Sequence, residues 1–355
     1  RSTTQWIGGM GIIVLSIAVL PLLGVGGVQL ARAESPGPTP DRLTPRFQET
    51  AKRLWILYVG FTAVEALLLS LGDMDVFQAV NHAFTTLSTG GFGTEHTSIS
   101  GFSPYSQWVI TVFMFLAGAS FALHFRALRR PAEYLRSAEF RLYGFIVLAA
   151  IVVVFGGLFG PGTDPAQTIR DATFTTVSIV TTTGYATADF GEWRPALQIF
   201  VVGLMFLGGM AGSTAGGVKT FRVGILAKAA AADLRRLVHP RGVFITRFGK
   251  DRVRDEIVES VQSFFLFYMF LFMTGTFLLS FIDANTTERL DLVTTASAVA
   301  ASLGNIGPGL GEVGPTAHYA GIPGTGKWLL SGLMIVGRLE IFPVLLLFTR
   351  DLWRR

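Results

Sequence analysis

The chain has 355 residues, half of them hydrophobic and only 15% charged, against roughly 25% charge in a soluble domain. That balance excludes a water-soluble globule and points to a membrane protein. The net charge of +5 gives no case for nucleic-acid binding, because the placement of the bases has another cause, set out below.

Apolar runs able to cross about 30 Å of hydrocarbon need about 20 residues as a helix. Seven are expected, over 5–30, 54–72, 107–125, 142–160, 196–230, 261–282 and 328–349. The first has no initiator Met before it and lacks the charged start and small-residue cleavage site of a signal peptide, so the chain is expected to begin inside a longer protein. Between later spans lie connections too long and too apolar for ordinary loops, each holding a helix-like segment too short to span. They read DVFQAVNHAFTTLSTGGFGT (75–94), TIRDATFTTVSIVTTTGYAT (168–187) and RLDLVTTASAVAASLGNIGPG (289–309). Anchoring on Gly91, Gly184 and Gly304 places Gln78, Asp171 and Asp291 thirteen residues earlier in each. The sequence thus predicts one repeated unit: span, re-entrant helix and loop, span. The FTT of 84–86 and 174–176 falls three residues out of this register and is coincidental.

Lipid cannot satisfy irregular backbone, so such loops must be buried in protein or face an aqueous cavity. Threonine and glycine suit a loop whose carbonyls replace water around an ion, and glycine reaches the φ values that aim them. The short helices direct their negative ends toward the same cavity, favouring a cation. The competing reading is that these small residues only allow close helix packing.

The fifth span, 196–230, contains GLMFLGGMAGSTAGGVKT, with glycines at 203, 208, 209, 212, 216 and 217. At about 0.8 to 1 kcal/mol per Gly relative to Ala, it should break in mid-membrane as a flexible loop beneath the filter, or else serve close packing. Arg338 lies inside the last span, where an ionisable group usually faces an interior or aqueous cavity. It is a candidate for the pore, or for a buried pair with Glu65 or Glu340.

Of 29 Lys and Arg, 23 fall in 31–53, 126–141, 219–254 and at the C-terminus, which places those segments on the cytoplasmic side. The opposite side holds eleven acids, Asp73, Asp75, Glu95, Asp164, Asp171, Asp189, Glu192, Asp283, Glu288, Asp291 and Glu312, against five bases. This surplus either concentrates cations or reflects only the scarcity of Lys and Arg there. There is no Cys, and the five His do not stand at ligand spacing. GIPGTGKW (321–328) has Trp where a phosphate-binding loop needs Ser or Thr, and no catalytic constellation is present. The protein is not expected to be an enzyme.

Six stretches, RSTTQWIGGMGIIVL (1–15), LSTGGFGT (87–94), SIVTTTGYATADF (178–190), GGMAGSTAGGVKT (208–220), SLGNIGPGLG (302–311) and GRLEIFP (337–343), together resemble the potassium-translocating subunit of the Trk/Ktr family. The resemblance implies an all-α membrane protein of four span, re-entrant pore loop, span units around a pseudo-fourfold pore. Residues 1–31 would be the second span of the first unit, 52–130 the second unit, 138–237 the third with its broken span, and 256–355 the fourth. It implies potassium filter positions at Thr89, Gly90 and Gly91, at Thr182, Thr183 and Gly184, and at Leu303, Gly304 and Asn305. It also implies a gating loop carrying Gly208, Gly209, Gly212, Ser213, Thr214, Gly216 and Gly217, with Arg338 facing the pore.

By the same resemblance, potassium is the transported ion and no organic cofactor is expected. The partners would be the lipid bilayer of the plasma membrane, the inner membrane in a bacterium, a second copy in a homodimer, and a cytoplasmic nucleotide-binding regulatory subunit. The first unit's outer span and pore loop should precede residue 1, and three filter strands alone should not conduct selectively. Sodium or mixed monovalent conduction, and a non-conducting membrane scaffold or receptor, stay open beside potassium.

Overall fold

The computed structural model describes residues 1–18, 47–242, 244–249, 251–283, 290–349 and 353. The expected span at 5–30 therefore lies only partly within the described residues, as helix α1 (Ser2–Ala18), and the basic segment 31–46, Glu288 and the terminal arginines lie outside them. The second unit comprises α2 (Phe47–Ser70), α3 (Val76–Leu87), α4 (Pro104–Ala117) and α5 (Phe121–Ala127). A short α6 (Ala132–Arg136) leads to the third unit, α7 (Ala138–Leu158), α8 (Pro165–Val180), α9 (Pro195–Met205) and α10 (Thr220–Val238). A two-residue hairpin, Arg247–Phe248 with Asp251–Arg252, precedes α11 (Asp255–Asp283), α12 (Leu292–Gly304), α13 (Gly324–Arg338) and α14 (Phe342–Leu347).

Among the described residues, three helices are long and apolar enough to cross a membrane unbroken: Ala51–Ser70, Ala138–Leu158 and Asp255–Ile282. They are the outer helices of the three units. Each inner helix is interrupted. The expected single span at 107–125 is instead α4 and α5, bent by 100°. That at 328–349 stops at Arg338, with Glu340 and Ile341 at φ +59°. In the third unit, α9 and α10 are separated by residues 206–219, where the glycines predicted a break.

The short helices are capped by polar residues. Asp75 forms a capping box with Gln78, its Oδ1 accepting from Gln78 N at 2.6 Å while Gln78 Oε1 accepts from Asp75 N at 3.2 Å. Asp164 caps α8 and Asp291 caps α12, each such cap contributing about 1 kcal/mol. Each outer helix packs on its own unit's short helix, α2 on α3, α7 on α8 and α11 on α12. Each inner helix packs on the short helix of the next unit, α1 on α3, α4 on α8 and α9 on α12. This repeated handover arranges the units in rotation about one centre. Between units the seams are apolar: Met10, Tyr58 and Phe121 close the first, Met114, Phe174 and Val177 the second. Large apolar side chains on α7 and α11, among them Phe145, Leu148, Phe270 and Phe277, are exposed on the outside, as a lipid-facing surface requires.

Outside the membrane, Asp73 joins the ends of α2 and α4. Its carboxylate accepts from Ser103 N and Ser103 Oγ at 2.6 Å each and from Ser106 Oγ at 2.5 Å. Partial burial pulls its pKa up, but these bonds outweigh it and hold the group below its ordinary value. A depressed carboxylate stabilises the fold above its unfolded pKa of about 3.9 and loses that contribution as pH falls through the folded value. Asp73→Ala is therefore expected to lower the melting temperature in detergent at pH 7, with the difference shrinking as pH falls through the depressed Asp73 value, as thermal unfolding across the acid range would show.

Candidate functional site

Three short strands follow the three short helices, with one backbone pattern. Thr89 and Gly91 have φ +52° and +64°, Thr182 and Gly184 +56° and +84°, and Asn305 and Gly307 +57° and +111°. The hydrogen bonds repeat as well. Gly90 N donates to Thr85 O at 2.7 Å, Thr183 N to Ser178 O at 2.9 Å and Ile306 N to Ala301 O at 2.8 Å. Turning these N–H groups back onto the helix ends leaves the strand carbonyls available elsewhere. The anchor of the fourth unit is therefore Gly307, and the register that chose Gly304 is three residues short. Leu303 and Gly304 belong to the last turn of α12, and the equivalent triplet is Asn305, Ile306 and Gly307.

The strands meet. A Cβ at Gly91 would lie 1.9 Å from the carbonyl oxygen of Thr183, and one at Gly184 would lie 1.9 Å from that of Ile306. The middle carbonyls of the third and fourth units' strands thus face the glycine of the preceding strand, an approach that only glycine permits. The offset of thirteen also acquires a cause. Gln78 Nε2 donates to Glu95 at 3.2 Å, Asp171 accepts from Thr187 Oγ1 at 3.0 Å, and Thr294 Oγ1 accepts from Glu312 N at 3.2 Å. At that position each short helix is tied to the chain leaving its strand. The residue in register in the fourth unit is Thr294, while Asp291 is the N-cap and Asp171 lies inside α8.

Beneath the strands runs the glycine-rich segment. Thr89 Oγ1 donates to Thr214 O at 2.8 Å, and Gly216 N donates to Thr182 Oγ1 at 2.6 Å, so two strand threonines hold it directly. Gly216 packs on the fourth unit, where a Cβ would lie 2.5 Å from Gly304 O. Within the segment, Gly208 and Gly217 lie back to back, a Cβ at either meeting backbone within 2.3 Å. A Cβ at Gly209 would lie 2.5 Å from the Gly118 carbonyl oxygen, and Gly212 takes φ +72°. Ser213 turns inward onto Met210 O at 2.6 Å. Arg338 Nη1 donates to the Thr214 carbonyl at 2.8 Å, and Lys219 bonds Ala215 O. The pairing offered for Arg338 does not form: Glu340 instead binds Arg222 at 2.5 Å, and Glu65 is fully buried in α2.

Three irregular backbone strands thus meet above a loop that two of their threonines hold. The family model described as a cation transport protein, TrkH, matches residues 1–159 and 145–354. The chain belongs to the TrkH family of cation transport proteins. A Trk system potassium uptake protein TrkH of Vibrio parahaemolyticus is 41% identical over the whole chain and 73% of that relative. The protein of the same name from Escherichia coli K12 is 39% identical, again over the whole chain and 73% of its own length. The crystal structure of the potassium transporter TrkH from Vibrio parahaemolyticus superposes with a TM-score of 0.87 at 38% identity, covering the whole chain and 72% of that structure.

As a TrkH-family protein the chain is a membrane transport protein and not an enzyme. The lysine of GIPGTGKW serves an outer turn, Lys327 Nζ donating to Ala320 O at 2.9 Å. One part of the candidate site escaped the sequence reading. Tyr185 of the third unit reaches into the second, its hydroxyl 2.5 Å from Thr85 Oγ1 and 3.2 Å from His82 Nδ1. Thr85 Oγ1 and Ser178 Oγ in turn bond the carbonyls of Phe92 and Tyr185 at 2.9 and 2.6 Å, bracing the strands from behind. The available signal was His82, Thr85 and Thr86 at i, i+3 and i+4, polar residues sharing one side of the short helix.

Proposed function

We propose that the protein carries potassium across the bacterial cytoplasmic membrane, its hydration shell replaced by strand carbonyls. The positions assigned are Thr89, Gly90, Gly91, Thr182, Thr183, Gly184, Asn305, Ile306 and Gly307. The observation that carries this reading is the matched backbone of three strands, with the Thr183 and Ile306 carbonyls directed at Gly91 and Gly184 of the neighbouring strands. Such carbonyls bind a dehydrated cation while leaving several shallow sites from which it can depart. The names of relatives about 40% identical over the whole chain support potassium as that ion. Residues 206–219 act as the gate, since a segment bonded to Thr89 and Thr182 lies across the inner end of the strands. The exposed bases Arg235, Arg236, Arg247 and Arg252 form a cytoplasmic face suited to a nucleotide-binding regulatory subunit, and the protein acts as a homodimer.

Rubidium uptake tests this in a bacterial host lacking its own potassium uptake, with the protein expressed from its natural gene. Uptake that potassium suppresses and equal sodium does not is the expected result. Sodium competing as well as potassium would replace the assignment with mixed monovalent conduction, and absence of uptake by protein present in the membrane would favour a scaffold.

A further inference from the structure

The first turn of α7 carries an acid that the conduction reading does not use. Ser137 caps this helix, its Oγ accepting from Phe140 N at 3.3 Å, and Glu139 follows two residues later. Its side chain leaves its own helix: Oε1 accepts from the backbone N–H of Ala211, 72 residues away, at 2.7 Å. Ala211 sits at the inward turn of the glycine-rich loop, between two residues fixed to the break in the second unit's inner helix. Met210 N donates to Gly118 O at 2.8 Å, and Gly212 O accepts from Phe121 N at 3.1 Å. The turn is therefore clamped between the kink joining α4 to α5 and the first turn of α7. A backbone N–H inside protein needs an acceptor, and a carboxylate supplies one about twice as strong as a neutral group.

The placement matters because of what Glu139 is attached to. It stands three residues from the end of α6, in the cytoplasmic link between the second and third units, where Arg130 and Arg136 are exposed. The loop's contacts with Thr89, Thr182 and Arg338 lie inside the membrane part of the molecule. Glu139 instead joins the loop to a segment reachable from the cytoplasm. We propose that Glu139 is a positioning residue of the gate, holding the inward turn of residues 206–219 in the closed position and passing movement of the α6–α7 link to it. This rests on the reading of that loop as the gate.

The experiment compares Glu139→Ala, Glu139→Gln and Arg338→Ala by rubidium uptake normalised to protein in the membrane. A hydrogen bond to a charged group contributes enough to shift an equilibrium by roughly tenfold or more when removed. Glu139→Ala is expected to raise uptake about tenfold, and Glu139→Gln, whose amide oxygen still accepts without the charge, about threefold. Because the chain has no cysteine, Ser213→Cys gives a clean probe of loop position. Its labelling by a water-soluble thiol reagent from the cytoplasmic side should quicken about tenfold when Glu139 is Ala, the same factor as the flux. If Arg338→Ala raises flux while both Glu139 variants leave flux and labelling unchanged, the assignment of Glu139 is overturned and the gate stands. If none of the three variants alters flux, the gate reading falls and this inference falls with it. Should Glu139→Ala fail to reach the membrane, labelling in the Glu139→Gln background decides, and an unchanged rate overturns the proposal.

Discussion

Gly184→Ala is expected to reduce potassium-selective uptake to background while the protein still reaches the membrane. The added methyl would sit 1.9 Å from the Ile306 carbonyl oxygen and 3.0 Å from Pro308 Cδ. The first of these is backbone of a neighbouring strand and cannot rotate away. The residue is also at φ +84°, a conformation that costs an L-residue about 1 to 2 kcal/mol. Both penalties fall on the carbonyl proposed to hold the ion, so the strand must shift where spacing sets selectivity. Gly91→Ala should behave alike, meeting Thr183 O at 1.9 Å with φ +64°. Gly304→Ala is the discriminating control. Gly304 is helical, and a Cβ there would first meet Ile306 Cδ1 and Met205 O at 3.1 Å, so it should keep most of its uptake. Rubidium uptake against sodium competition measures all three. Equal loss in Gly304→Ala and Gly184→Ala would return the fourth strand to the earlier register, and wild-type selectivity in Gly184→Ala would remove these carbonyls from the ion path.

The contrast between Gly304 and Gly307 marks what could be read in advance. Repeated short helices and glycine loops were legible because both are local: apolar segments too short to span, bounded by aspartate caps and Thr- or Gly-rich ends. The fourth register was not, since GNIGPG offers three glycines and only the backbone shows which one follows a left-handed residue. Asparagine visits that region more readily than most residues, so Asn305 standing where Thr89 and Thr182 stand was the available cue. The broken span of the third unit announced itself through six glycines. The other two did not, because Gly118–Ser120 contains a single glycine and Leu339–Ile341 none. Ile341 holds φ +59°, a costly state for a β-branched residue. Neighbours hold this break in place: Glu340 is bound by Arg222, and Ile341 is packed in the core with Phe264, Tyr268 and Leu303. Such tertiary causes leave no trace in a window of twenty residues.

Arg338→Ala should raise rubidium uptake by about ten- to a hundredfold, through two separable effects. The guanidinium donates to Thr214 O at 2.8 Å, and the same carbonyl accepts from Thr89 Oγ1, so one loop oxygen joins the fourth unit's inner helix to the second unit's strand. Losing a charged bond of about 1.5 to 3 kcal/mol moves the closed-to-open ratio by about that range of rates, at 1.4 kcal/mol per tenfold. The second effect is Coulombic: a fixed positive charge below the strands raises the energy of any cation passing it. Arg338→Gln separates the two, because its amide can still donate to Thr214 O without the charge. Uptake near the unsubstituted level in Gln and high in Ala would assign control to the bond. High uptake in both, with an altered dependence on external potassium, would assign it to the charge. Uptake unchanged in Arg338→Ala would detach this residue from conduction and leave any latch on residues 206–219 to the bonds with Thr89, Thr182 and Glu139.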